Sequence, residues 1–203
     1  MKTSIQQLKR LLDSTQQPVI LLEGTRKIVN EEFGKLVLFG EFLAKKFPHV
    51  CFRSGNASGS DGAFAQGVRK VVPNRMQIVL PKLDSGKSRL HNSDYVLALE
   101  DVTHAEEKQI IYESKRATPK NKRLFEAYEL QQEGMMKQKS LYLLRDTLKV
   151  LGSLENNLVP ITAGIFFVNQ DDPESGGTGH TMRVCRQNNV PVFTQDDWMK
   201  WMA

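Results

Sequence analysis

A three-layer α/β/α fold with a mostly parallel sheet and a helical insertion is the fold class this sequence predicts, on three observations. Short apolar runs alternate with helical segments, the pattern produced when helices cover both faces of a parallel sheet. Glycine-bearing turns follow three of those runs, at EGTRK (23–27), SGNASGSDG (54–62) and SGGTG (175–179). A charged, glutamine-rich stretch at about 103–157 interrupts the alternation once. With 203 residues, 40% hydrophobic and 25% charged, the chain suits one sizeable domain over 1–203 rather than a disordered polymer.

The elements follow in order. PVILLEG (18–24) is a compact buried strand ending in glycine. Behind it, 30–47 carries Phe33, Leu36, Val37, Gly40, Leu43, Ala44 and Phe47 at helical spacing, with Asn30 as N-cap and Glu31 and Glu32 in the first turn. HVCFRSG (49–55) repeats the plan, and a short helix over 60–72 follows its glycine-rich turn. MQIVLP (76–81) is a third strand, whereas DYVLALED (94–101) suits either a strand or the start of a buried helix. The 103–157 segment is helical, broken by TPKNKR (118–123) and near Gly134. Between 104 and 151 it holds ten Lys or Arg against seven Asp or Glu, which reads as solvated helix faces more than a basic patch. VPITAGIFFVNQ (159–170) returns as a strand, followed by ESGGTGHT (174–181), a helix to about Asn189, the strand VPVF (190–193) and a terminal helix with Trp198 and Trp201. No self-similarity at solenoid periods is visible.

Composition narrows the setting. No window approaches the roughly eighteen apolar residues of a membrane span, and MKTSIQQLKRLL lacks a secretory core and cleavage site, so a cytoplasmic protein without membrane contact is expected. Cys51 and Cys185 lie singly in apolar stretches and read as small core hydrophobes; no metal-ligand spacing occurs. A net charge of +5 suits a nucleotide or nucleic acid without requiring either.

Turns that follow parallel strands emerge together on the carboxyl edge of the sheet, so three sequence-distant loops can face one cleft. Glycine permits close backbone approach, and the helix behind each turn offers unpaired N–H groups and a positive dipole end, which suits a phosphate. Ser54, Ser60 and Thr178 add hydroxyls there, and Arg26 adds a cation. Neither standard nucleotide fingerprint fits: the second loop lacks the lysine of a Walker A motif, and the first fifty residues carry no G-x-G-x-x-G.

The order GTR, RSGNASGSDGAFAQG and SGGTGHTMRVCRQNNVPVF resembles the SLOG superfamily. This Rossmann-like group includes the DNA-processing protein A (Smf) family and the LOG, or lysine decarboxylase-like, phosphoribohydrolases; the likeness is strongest to small phage and bacterial members. LRDTLKVLG (144–152) is similar to the arginine-bearing helix those members place before the last glycine loop. Over roughly 18–195, the resemblance implies a nucleotide-type pocket lined by three sets of residues. These are Gly24, Thr25 and Arg26; then Ser54, Gly55, Asn56, Gly59, Ser60 and Asp61; then Gly176, Gly177, Thr178 and Gly179. Arg145 and Thr181 are further candidates. Superfamily members bind nucleotides or nucleotide-derived signals, cleave N-glycosidic bonds of nucleoside monophosphates, or bind single-stranded DNA, and fold likeness does not choose among these.

The chain departs from the phosphoribohydrolase run PGGxGTxxE: Ser175 replaces the proline, and Gly179, His180, Thr181 and Met182 offer no carboxylate. Asp61 is the remaining candidate acid, placed either to contact a ribose hydroxyl or to brace the loop. Arg145 and Asp146 suit a solvated helical ion pair or the cleft. His180 suits an acid–base group, an exposed side chain or a cap contact. Lys120, Lys122, Arg123, Lys137 and Lys139 supply charge, while Tyr112, Phe125, Tyr128 and Tyr142 read as core more than as a stacking platform. The expected function is binding of a nucleotide or nucleotide-derived small molecule without turnover, its phosphate on the 54–61 and 176–179 loops, in a chain that self-associates as a homodimer. No other cofactor is implied. The alternatives are N-glycosidic hydrolysis using Asp61 or another carboxylate not yet placed, and single-stranded DNA binding.

Overall fold

In the computed structural model, which describes residues 4–132 and 134–202, the apolar runs become six parallel strands among the described residues. They are β1 (Val19–Gly24), β2 (Cys51–Ser54), β3 (Met76–Leu80), β4 (Tyr95–Ala98), β5 (Ala163–Phe167) and β6 (Val192–Phe193). Their order is β4-β3-β2-β1-β5-β6. The chain winds outward from β1 to β4, then returns to lay β5 against the other edge of β1, in a register that sets Gly24 level with Phe167. Winding therefore reverses between β1 and β5, and the loops leaving their carboxyl ends diverge to open a crevice. This is a Rossmann-like α/β fold.

Alternation along β1 explains the layers: Ile20 and Leu22 face one core, Val19 and Leu21 the other. The first face is covered by α1 (Ile5–Asp13), α2 (Asn30–Lys46), α3 (Ser60–Val71) and α8 (Gln195–Trp198). There Trp198 stacks on Phe39 at 4.3 Å and donates its indole N–H to the Phe166 carbonyl at 3.0 Å. The second face is covered by α4 (His104–Ala117), α5 (Lys122–Glu129), α6 (Met135–Leu151) and α7 (Gly176–Gln187). The helical segment between β4 and β5 is thus α4, α5 and α6.

Several local expectations shift. The ambiguous run at 94–101 pairs with β3 as β4 and then tightens into a 3-10 turn over Leu99–Asp101. Val29, not Asn30, caps α2, its N–H donating to Glu32 Oε2 at 2.9 Å. β5 begins only at Ala163 because the preceding segment is tied elsewhere. The buried Arg53 takes the Val159 carbonyl at 2.6 Å and that of Lys149 at 2.8 Å, while the Ile161 N–H donates to Val150 at 3.0 Å. The N-terminal segment, which suggested only the lack of a signal, forms α1 behind a Ser4–Gln7 capping box and buries Leu8 and Leu12. Both cysteines are free, Cys185 buried and Cys51 half-buried. Among the described residues no helix is long and apolar enough to cross a membrane.

Candidate functional site

The crevice at the β1/β5 reversal holds a cavity of about 720 Å³, within the roughly 300–1,000 Å³ of small-molecule sites. Its near wall is the end of β1 and the following loop, from Glu23 to Lys27; its far wall is the start of α7, from Ser175 to Thr178. Helix α6 closes the back with Tyr142, Arg145 and Asp146.

The loop after β2 is locked to the loop after β1. The Asp61 carboxylate accepts from three backbone N–H groups: Gly24 at 3.1 Å, Gly55 at 3.2 Å and Ala57 at 3.4 Å. The Ser60 hydroxyl and N–H both donate to the Thr25 carbonyl, at 2.8 and 3.1 Å. Gly59 has φ +80°, and a Cβ there would stand 2.5 Å from the Arg26 carbonyl oxygen, so only glycine lets the two loops meet. Asn56 donates its side-chain amide to the Gly86 carbonyl at 3.0 Å.

These bonds correct the expected cradle. Only Ala57 and Asp61 of the second loop line the large cavity, while Gly55, Asn56, Gly59 and Ser60 stand behind or beside it. Ser54 is buried, with no hydrogen-bond partner for its hydroxyl. Asp61 braces the loop with both carboxylate oxygens, and the N–H groups of Gly55 and Ala57 are already paired with it. Gly179 is packed under the Glu174 carbonyl, where a Cβ would be 1.9 Å from the oxygen. Thr181 turns inward, its hydroxyl within reach of Glu23 Oε1 at 3.1 Å and the Gly177 carbonyl at 3.0 Å.

Gly176, Gly177 and Thr178 do face the cavity. Ser175 caps α7 without a side-chain bond to it, its hydroxyl donating instead to the Asp172 carbonyl at 2.8 Å. The first-turn N–H groups of α7 consequently have no partner within the helix, and its positive dipole end opens into the crevice. Arg26, Lys27, Lys120, Lys139 and Arg183 add cations to the lining, Arg183 paired with Glu174 at 3.3 Å, and Asp172 adds a carboxylate. Tyr142 lies under two guanidinium groups, Arg26 at 5.5 Å and Arg145 at 5.7 Å from its ring centre. Of the other three aromatics, Phe125 is core, Tyr128 is half-buried with its hydroxyl on Glu107, and Tyr112 is exposed.

The floor is charged and buried, contrary to the solvated reading of Arg145 and Asp146, whose side chains are only 5% and 4% exposed. Lys149 Nζ donates to Glu23 Oε2 at 2.7 Å and lies 2.9 Å from Asp146 Oδ1. Arg145 Nη1 donates to the Gly55 carbonyl at 2.6 Å, tying α6 to the end of β2. Burial pushes the Glu23 carboxyl up to about 7; Lys149 pulls against that rise, and Asp146 and Asp61 reinforce it. For Asp146 burial acts upward too, but Lys149 and Arg145 outweigh it and hold the carboxyl below its ordinary value. Lys149 is held above its ordinary value because Asp146 and Glu23 overcome the downward effect of burial. Glu23 escaped the sequence reading; the available signal was an acid inside an otherwise apolar strand.

His180 is neither exposed nor a cap. It is buried, with Nδ1 2.7 Å from the Thr118 hydroxyl and Nε2 3.0 Å from that of Thr147, which reaches Ser114 at 2.6 Å. Burial lowers its pKa to about 4, so the ring is neutral near pH 7 and joins α4, α6 and α7.

No family model and no curated protein matches the chain. Among solved structures it is similar to DNA processing protein A from Helicobacter pylori, a protein with a unique single-stranded DNA binding mode. The TM-score is 0.49 at 14% identity, over 91% of this chain and 67% of that one. The likeness is one of backbone arrangement.

Proposed function

We propose that the protein binds a nucleotide, or a small molecule derived from one, in the crevice between β1 and β5, as a SLOG-like pocket would. The observation that carries this reading is the start of α7, without a side-chain cap bond, opening into a nucleotide-sized cavity lined by more basic than acidic side chains. A Cβ at Gly176 would meet nothing within 4 Å, which leaves room for an anion. On the other side, a Cβ at Gly177 would stand 2.8 Å from Asp146 Oδ2, so the anion sits toward Gly176 and Thr178. Leu124, Tyr142, Leu143 and Pro173 offer a largely apolar wall for a base.

Thermal melts across a nucleotide panel test the reading. Ligand at about a hundred times its Kd adds about 2.7 kcal/mol, or about 5–11 °C for a domain of this size. Gly177→Asp, which places a carboxylate at the α7 start, should remove the shift. No shift with any nucleotide, or a shift that survives Gly177→Asp, contradicts the assignment.

One observation favours hydrolysis as a second reading: Glu23 and Asp146, both on the cavity wall, have proton affinities driven apart by their surroundings. A protonated Glu23 would supply the proton with which the base leaves as the C–N bond breaks. An ionised Asp146 would take one from the water that bonds to the sugar carbon. Steady release of free base from nucleoside monophosphates, abolished by Glu23→Gln while the thermal shift persists, would replace binding without turnover. A salt-sensitive mobility shift of a single-stranded oligonucleotide, with no shift from mononucleotides, would instead favour a nucleic-acid ligand.

A further inference from the structure

Beside the large cavity lies a smaller one of about 110 Å³. Arg26, Ala57, Tyr142 and Arg145 line both. Its remaining walls come from the loop after β2, from Leu80 at the end of β3, and from Pro81, Ser85, Gly86 and Arg89 in the connection to β4. Three arginines line this space and no carboxylate does. Arg145 Nε lies 3.1 Å from Asp146, a carboxylate shared with Lys149.

The arrangement is built rather than incidental. Arg89 Nε donates to the Asn56 carbonyl at 2.9 Å, and Arg145 is pinned through Nη1 to that of Gly55. Asn56, at φ +56°, holds the 86–89 turn in place through its bond to Gly86. A guanidinium carries five N–H donors, and these backbone bonds leave donors over at both arginines. At about 30 Å³ per water the space takes about four oxygen-sized atoms, enough for a tetrahedral oxyanion and too little for a nucleobase. Like charges around a small polar cavity repel one another, and a doubly charged anion there turns repulsion into attraction.

We propose that this cavity is a second phosphate subsite, and that the ligand carries two separately held phosphates, one at the start of α7 and one among Arg26, Arg89 and Arg145. Tyr142, which borders both cavities, stands between them. The inference rests on the nucleotide-binding reading and sharpens its ligand class to a nucleoside bisphosphate or dinucleotide. It also gives Gly55, Asn56 and Ser58 of the loop after β2, which do not line the large cavity, a ligand-facing role.

The test is calorimetric titration with adenosine 5′-monophosphate and adenosine 3′,5′-bisphosphate on the wild type, Arg89→Ala and Ser85→Asp. The bisphosphate should bind the wild type about ten-fold or more tightly than the monophosphate, the worth of a charge-assisted contact. Each variant should bring the bisphosphate down to the monophosphate level while monophosphate affinity stays within about two-fold. Ser85→Asp leaves the Arg89–Asn56 bond intact, so it separates loss of the subsite from loosening of the turn. Equal wild-type affinities, or variants that weaken both ligands alike, overturn the second subsite and leave the first standing. Failure of both nucleotides to bind the wild type overturns both.

Discussion

Replacing Asp61 by alanine removes the acceptor for three backbone N–H groups at once. The Ala57 bond is long at 3.4 Å, and that residue is half-buried, so water readily takes over. Gly24 and Gly55 are buried, with bonds of 3.1 and 3.2 Å to the carboxylate. Each hydrogen bond to a charged group is worth about 1.5–3 kcal/mol, giving about 3–6 kcal/mol for the pair. Water entering from the adjoining cavity restores part, which places the expected loss at about 3–4 kcal/mol. At about 2–4 °C per kcal/mol for a domain of this length, the midpoint should fall by about 6–16 °C. Asp61→Asn keeps the shape but turns an NH₂ toward one of the donors, so its loss should be intermediate, about 2 kcal/mol. Urea unfolding with an unchanged m-value measures both. A change below about 0.5 kcal/mol in Asp61→Ala would refute the bracing role, since surface substitutions alone cost that little.

Lys149→Met should cost about 3–5 kcal/mol, because it leaves Glu23 and Asp146 facing each other without their buried cation; a melt within 3 °C of wild type, near the scale of about 1 kcal/mol, contradicts this. The pH dependence is the product of two opposed groups. His180, lowered from 6.5 to about 4, contributes stability present above its unfolded value and lost as pH falls toward 4. Glu23, raised from 4.5 to about 7, contributes stability present below its unfolded value and lost as pH rises toward 7. Between about 4.5 and 6.5 the two slopes oppose. Glu23→Gln should therefore lose melting temperature more steeply than wild type on acidification, and His180→Asn should lose less. Parallel profiles for the three proteins would show that neither group titrates in this way.

What the sequence by itself determined is the part that depends on neighbours in the chain. VILLEG declares a buried strand because six residues in a row are either apolar or, as in Glu23-Gly24, at its carboxyl end. Glycines at 59 and 176 mark turns because the positive φ they adopt is a local backbone property, whereas the Phe167 and Arg26 carbonyls that crowd Gly24 and Gly59 are brought there by the fold. Where the run was short, as in the four residues of β4, pairing with β3 decided the element, whereas α1 carries a local signal of its own in the Ser4–Gln7 capping box. The division of labour within the site was another matter. Glu23 and Lys149 are 126 positions apart, and the charges on α6 read as solvent-facing because nothing in that helix shows it is covered on several sides. Only the tertiary structure decided that Asp61 accepts from three backbone N–H groups of the two loops, that Gly55, Asn56 and Ser58 border the smaller cavity and not the larger, and that burial pushes the Glu23 carboxyl up to about 7. Proton affinity and cavity shape follow from burial and from charges brought together through space, whereas strands and turns follow from the torsions and side chains of adjacent residues.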